Sequence, residues 1–148
     1  ADVIHSFWVP RLGGKIDAVV ASNDGTAGGV VAALTAKGIK GIPVSGQDGD
    51  HAALNRVARG TQTVSVWKDS RQLGSAAANI AVALAGGTAL DAIDGAVKWS
   101  GGSKGLEMNA IFLEPTPITK DNINAVIDAG HIAKDKVCEG AMDGVPGC

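Results

Sequence analysis

The sequence predicts an α/β protein: a parallel sheet with flanking helices. Three observations lead there. Short apolar runs alternate with stretches of helical spacing, glycines stand where those helices should stop, and each run ends on a polar residue that opens the next turn. Strands alternating with helices imply right-handed crossovers and parallel pairing.

The first run, Ile16-Asp17-Ala18-Val19-Val20-Ala21-Ser22, is short enough for a buried strand. After the turn Asn23-Asp24-Gly25-Thr26, apolar residues recur at Ala27, Val30, Val31 and Leu34, and Gly38 stands where a left-handed cap is wanted. A second strand is expected over residues 42–45, followed by Gly46-Gln47-Asp48-Gly49. Its helix opens at Asp50, a residue suited to an N-cap, buries Ala53, Leu54, Val57 and Ala58, and ends at Gly60. A third strand over residues 62–67 leads through Lys68 and Asp69 into a longer helix. There Leu73, Ala76, Ala77, Ile80, Ala81 and Leu84 form one stripe, and Gly86-Gly87 stops it.

In an open parallel sheet, ligands bind in the crevice beyond the carboxyl ends of the strands. Here three consecutive strand ends carry Asn23, Asp48 and Lys68, an amide, a carboxylate and an ammonium that suit sugar hydroxyls. A carboxylate can accept from two adjacent hydroxyls through charge-assisted bonds. The local alternative for Asp48 is a loop aspartate bonded to its own turn, common in Asp-Gly sequences. Asn23 offers a donor and an acceptor, or else serves as an Asx-turn or helix cap. Lys68 is either a solvated lysine or the partner of Asp48, and such pairing would offset the cost of burying both. Trp67 is tempting as a stacking platform, but successive strand side chains face opposite ways. With Lys68 toward the ligand, Trp67 belongs in the core. Asp24 and Asp50 read as helix caps.

Composition excludes several functions. At 148 residues the chain can bury one core, and 45% hydrophobic residues with a net charge of −2 describe an ordinary globular protein. Thirteen basic against fifteen acidic residues, without a Lys/Arg cluster, argue against a nucleic-acid surface. No apolar run approaches the roughly 20 residues of a membrane helix, so no membrane insertion is expected. The Gly25-Thr26-Ala27-Gly28-Gly29 turn lacks both the P-loop ending and the dinucleotide-binding spacing. His5, His51 and His131 show no paired spacing, so neither a metal nor another cofactor is expected. No serine sits in a nucleophile elbow, and an enzyme is not expected. Cys138 and Cys148 flank a Gly/Pro-rich tail. A disulfide there would contribute about 2.5–3 kcal/mol and imply an oxidising compartment; the alternative is two free thiols in the cytosol.

The segment from Lys15 through Ile16-Asp17-Ala18-Val19-Val20-Ala21-Ser22-Asn23-Asp24-Gly25-Thr26 to Gly29 resembles the periplasmic sugar-binding proteins of bacterial ABC importers (type I), most of all the D-xylose-binding group. Ser45-Gly46-Gln47-Asp48-Gly49-Asp50 and Gly60-Thr61-Gln62-Thr63-Val64-Ser65-Val66-Trp67-Lys68 match in order and spacing, and Leu113-Glu114-Pro115-Thr116-Pro117-Ile118-Thr119-Lys120-Asp121-Asn122-Ile123 matches more weakly. The resemblance implies that Asn23, Asp48 and Lys68 hydrogen-bond a monosaccharide, D-xylose or a related aldose. It also implies a membrane ABC permease as partner and a periplasmic or extracellular location, a lipid anchor upstream being left open. Family members are considerably longer, so the chain looks like the C-terminal half of a two-lobed protein. Residues 15–68 and about 110–148 would form the sugar-binding lobe, and about 69–109 would belong with an N-terminal lobe. Residues 1–14, with Pro10 among them, depart from the family's amphipathic helix. The rival readings are the effector-sensing domain of a lac-repressor-type regulator and an inactive receptor fragment.

Overall fold

A computed structural model describes residues 15–148; the atypical segment expected at residues 1–14 lies outside them. By its internal contacts the chain divides into two compact units: residues 15–68 with Pro115–Cys148, and Asp69–Glu114.

In the first unit, helix α1 (Asp24–Ala36) buries Ala27, Val30, Val31 and Leu34, the four positions that its spacing singled out. Strand β1 (Ser45–Asp48) leads to helix α2 (His51–Ala58), and strand β2 (Val64–Trp67) follows. Both helices end in the same way at the predicted glycines. Gly38 and Ile39 bond back to the carbonyls of Thr35 and Leu34, and Gly60 and Thr61 to those of Val57 and Arg56. This double closure satisfies the last-turn carbonyls.

β1 and β2 pair in parallel, Ser45 opposite Val64 and Asp48 opposite Trp67. Strand β5 (Thr116–Ile118) joins β2 antiparallel, a pairing that the apolar runs did not announce because its middle residue is Pro117. Proline is tolerated on such an edge strand. Two further differences have physical causes. The second strand lies three residues later than expected, since Pro43 has no amide to give and the ladder is carried by Ser45-Gly46-Gln47-Asp48. The first run forms only an isolated parallel bridge, Val19 to Val44, and Val20 is 91% exposed. Among the described residues that run is paired on one side only.

Two apolar clusters hold this unit. One joins Ala21, α1 and Val44; the other joins Leu54 and Val57 of α2, Trp67, Ile118, Ile123, Val126 and the C-terminal residues Ile132, Val137 and Val145. Each fully buried Leu, Ile or Val contributes roughly 1.5–3 kcal/mol. Short helices α4 (Asn124–Asp128) and α5 (Lys134–Val137) lead to a bridge between Cys138 and Cys148.

The second unit holds helix α3 (Ser70–Ala85), with the bounds its spacing predicts and Asp69 as N-cap, its side chain accepting from the Arg71 amide. A 3₁₀ turn (Leu90–Ala92) and an antiparallel hairpin of β3 (Val97–Trp99) with β4 (Met108–Ala110) follow. No residue of α3 is buried. No helix of the described residues is long and apolar enough to cross a membrane.

Candidate functional site

Parallel pairing sets the carboxyl ends of the Val19 segment, β1 and β2 side by side. Asp48 is the last residue of β1 and Lys68 follows β2, so the two meet: Nζ of Lys68 lies 3.0 Å from Oδ1 of Asp48, with 40% and 41% of the side chains exposed. A half-exposed ion pair is worth only about 0–1 kcal/mol. The Asp48 backbone has a φ of +110°, a conformation L residues avoid, and among the described residues all the other positive-φ positions are glycines. Holding a non-glycine residue there costs on the order of 1–3 kcal/mol. The pair therefore does not repay its own backbone in stability, and what the arrangement secures is the placement of a carboxylate at the strand ends.

Asn23 is the N-cap of α1. Its Oδ1 accepts from the Thr26 amide at 2.9 Å, the local role that its sequence left open. The amide nitrogen donates to no group among the described residues and stays available to an oxygen acceptor.

Sequence reasoning missed the residue that joins these ends. Asp24 is not a capping aspartate: it is 1% exposed, and its carboxylate gathers four donors. Oδ2 accepts from the amides of Gly49 and Asp50, both at 2.9 Å, and from Oγ of Ser65 at 2.6 Å. Oδ1 accepts from Nε2 of Gln62 at 2.9 Å. Arg56 completes the network, donating through Nε to Oε1 of Gln62 and through Nη2 to the Asp24 carbonyl, both at 3.0 Å. Burial pushes the Arg56 guanidinium below its ordinary pKa, while the Asp24 and Asp50 carboxylates pull the other way. One signal could have exposed the network. Ser65 shares a strand face with Trp67, so placing Trp67 in the core also buries a hydroxyl that must find a partner. Asp50 stands at the N-cap of α2 but its side chain makes no cap bond.

Two glycines make room. A Cβ on Gly46 would lie 2.2 Å from Oδ1 of Asp24, and one on Gly49, whose φ is +77°, would lie 2.4 Å from Cδ1 of Trp67. Trp67 itself is 8% exposed and belongs to the core. Its ring packs 5.1 Å from that of His131, and its buried Nε1 has no hydrogen-bond partner among the described residues. His51 and His131, scattered in sequence, meet in space: the rings stand edge to face at 5.3 Å. Nε2 of His131 donates to the Gly49 carbonyl at 2.8 Å, and Nε2 of His51 to the His131 carbonyl at 3.0 Å. Among the described residues no three His, Cys, Asp or Glu side chains could hold a metal ion. A mixed polar and apolar cavity of about 410 Å³ lies elsewhere, lined by Val31, Leu34, Ile39, Lys40, Pro43 and Thr63, at the end of the strands away from Asp48.

Comparison with known proteins places this arrangement in context. Residues 8–89 match the family described as periplasmic binding protein domain. The chain is 41% identical over 125 residues to the D-xylose-binding periplasmic protein of Haemophilus influenzae, spanning 83% of this chain and 36% of that protein. It is 55% identical over 74 residues to the D-xylose-binding periplasmic protein of Escherichia coli, spanning 49% of this chain and 22% of that one. Its fold matches that of a carbohydrate transporter solute binding protein from Chloroflexus aurantiacus, solved with D-glucose. The TM-score is 0.72 at 26% identity, over 93% of this chain and 40% of the other. The chain thus spans well under half the length of the relatives it matches.

Proposed function

The chain belongs to the periplasmic binding protein family, of the type I sugar-binding kind, and from that premise we propose that it captures a monosaccharide for an ABC importer. One observation carries this reading: the Asp48–Lys68 pair, 3.0 Å apart and half-exposed at adjacent strand ends, with Asn23 on the neighbouring end. In its sugar complex Asp48 accepts from two adjacent hydroxyls, Lys68 donates to a third while holding the carboxylate in place, and Asn23 donates through its free amide hydrogens. D-xylose or a related aldose is the ligand that the names of the relatives support.

Residues 15–68 and about 110–148 form the sugar-binding lobe, and about 69–109 complete a second lobe whose other part lies upstream. The two close on the sugar about a hinge. The closed form docks on a membrane permease; the protein is a receptor and catalyses no reaction. A periplasmic or extracellular location agrees with the Cys138–Cys148 disulfide, which also favours a receptor over a cytosolic lac-repressor-type sensor.

Calorimetric titration of the complete receptor with D-xylose and D-glucose tests the proposal. Asp48→Ala removes two charge-assisted acceptors and strands Lys68, so affinity should fall by about 100-fold or more, roughly 2.7 kcal/mol. Unchanged affinity in that variant would remove Asp48 from the site.

A further inference from the structure

We infer that Asp24 positions the sugar-binding carboxylate: through the Gly49 and Asp50 amides it holds the turn that aims Asp48 at the ligand. The inference rests on the receptor reading of the site, but its structural basis is independent of any sugar. Asp48 adopts its φ of +110° immediately before two amides that both point at Oδ2 of Asp24. A residue in so unfavourable a conformation persists only where its surroundings over-determine it. Here they do so from three directions. Asp24 begins α1 next to Asn23, Ser65 comes from β2 three residues before Lys68, and the Gly49 amide is shared between Oδ2 of Asp24 and Oγ of Ser65, the latter at 3.1 Å. His131 fixes the Gly49 carbonyl from the opposite side. One buried carboxylate thereby ties together the elements that carry all three proposed sugar contacts.

The chemistry requires a carboxylate. Three donors converge on Oδ2 and a fourth on Oδ1. An asparagine, though isosteric, must turn its NH₂ toward one set or the other, and either choice sets donor against donor. The Gly46 backbone abuts the Asp24 carboxylate and the Gln62 amide so closely that no Cβ fits there.

The test compares Asp24→Asn, Ser65→Ala and Val126→Ala in the complete receptor, with Asp48→Ala alongside, by D-xylose titration and amide hydrogen exchange. Val126 lies in the core and reports on stability alone. Asp24→Asn should weaken D-xylose binding about tenfold or more. It should also speed exchange of the Gly49 and Asp50 amides, leaving the Ser45 amide, bonded to Val19, protected. Ser65→Ala should do the same more mildly, and it decides the question if Asp24→Asn does not fold. Val126→Ala should lower the melting temperature without changing affinity. Normal affinity in Asp24→Asn, where Asp48→Ala abolishes binding, overturns the positioning role alone. So does a loss no larger than that of Val126→Ala at equal stability. Normal affinity in Asp48→Ala instead overturns the site reading on which it rests.

Discussion

Lys68 poses the sharpest question about a single side chain, because its two readings differ in what they leave behind. As a solvated lysine it would matter to nothing. As the partner of Asp48 it orients a carboxylate, yet a pair about 40% exposed on each side adds less than about 1 kcal/mol to stability. Lys68→Met, which keeps the stem, should therefore shift the urea midpoint very little and weaken D-xylose binding more than tenfold. Equal losses in both would make the pair structural. Lys68 was legible in the sequence because its strand follows from periodicity; Asp48 was read in the turn after a strand expected three residues earlier, and pairing with β2 makes it the last residue of β1. Asp24 was not, because an aspartate opening a helix after Asn23 looks like a cap. Only the folded arrangement of Gly49, Asp50, Gln62 and Ser65 converts it into the hub of a buried network.

Helices were read more faithfully than strands, for a physical reason. The bounds of α3 and the buried face of α1 follow from local spacing and glycine stops. By contrast, β1 consists of Ser45-Gly46-Gln47-Asp48, residues with poor intrinsic strand preference, and is a strand because β2 lies beside it. Long-range partners likewise define the C-terminal helices. α5 has only four residues, and its end is held by α2: Nδ2 of Asn55 donates to the carbonyls of Val137 at 3.0 Å and Glu139 at 2.8 Å. The Met142 amide bonds the Ala58 carbonyl at 2.9 Å. Asn55→Ala strips the bonds to both carbonyls, and destabilisation by about 1–3 kcal/mol is expected from denaturant unfolding. A change below about 0.5 kcal/mol would mean that water replaces the amide.

The C-terminal hook and the second unit represent opposite ways of using a chain. The hook buries Val145 and closes on itself through Cys138–Cys148, a loop of sequence separation 10. Replacing both cysteines by serine should cost about 2.7 kcal/mol in the chain-entropy account, read as a lower urea midpoint. A loss near zero would show that burial of Val137 and Val145 alone orders the tail. The unit Asp69–Glu114 has no such anchor. Its helix buries nothing, and Val82, Leu90, Leu106 and Phe112 are 57–73% exposed. A 16-residue helix with no buried residue is marginal in water, and so is a lone two-stranded hairpin. The expectation is a sharp division in hydrogen exchange. In the 148-residue chain, amides of β1, β2 and α2 should exchange slowly and those of α3, β3 and β4 almost at the unprotected rate. In the complete receptor, where the proposed upstream lobe covers α3, the same amides should slow by orders of magnitude. Strong protection of α3 in the chain by itself would instead mean that Asp69–Glu114 is self-sufficient, and it would sever the link between its apolar surface and a second lobe.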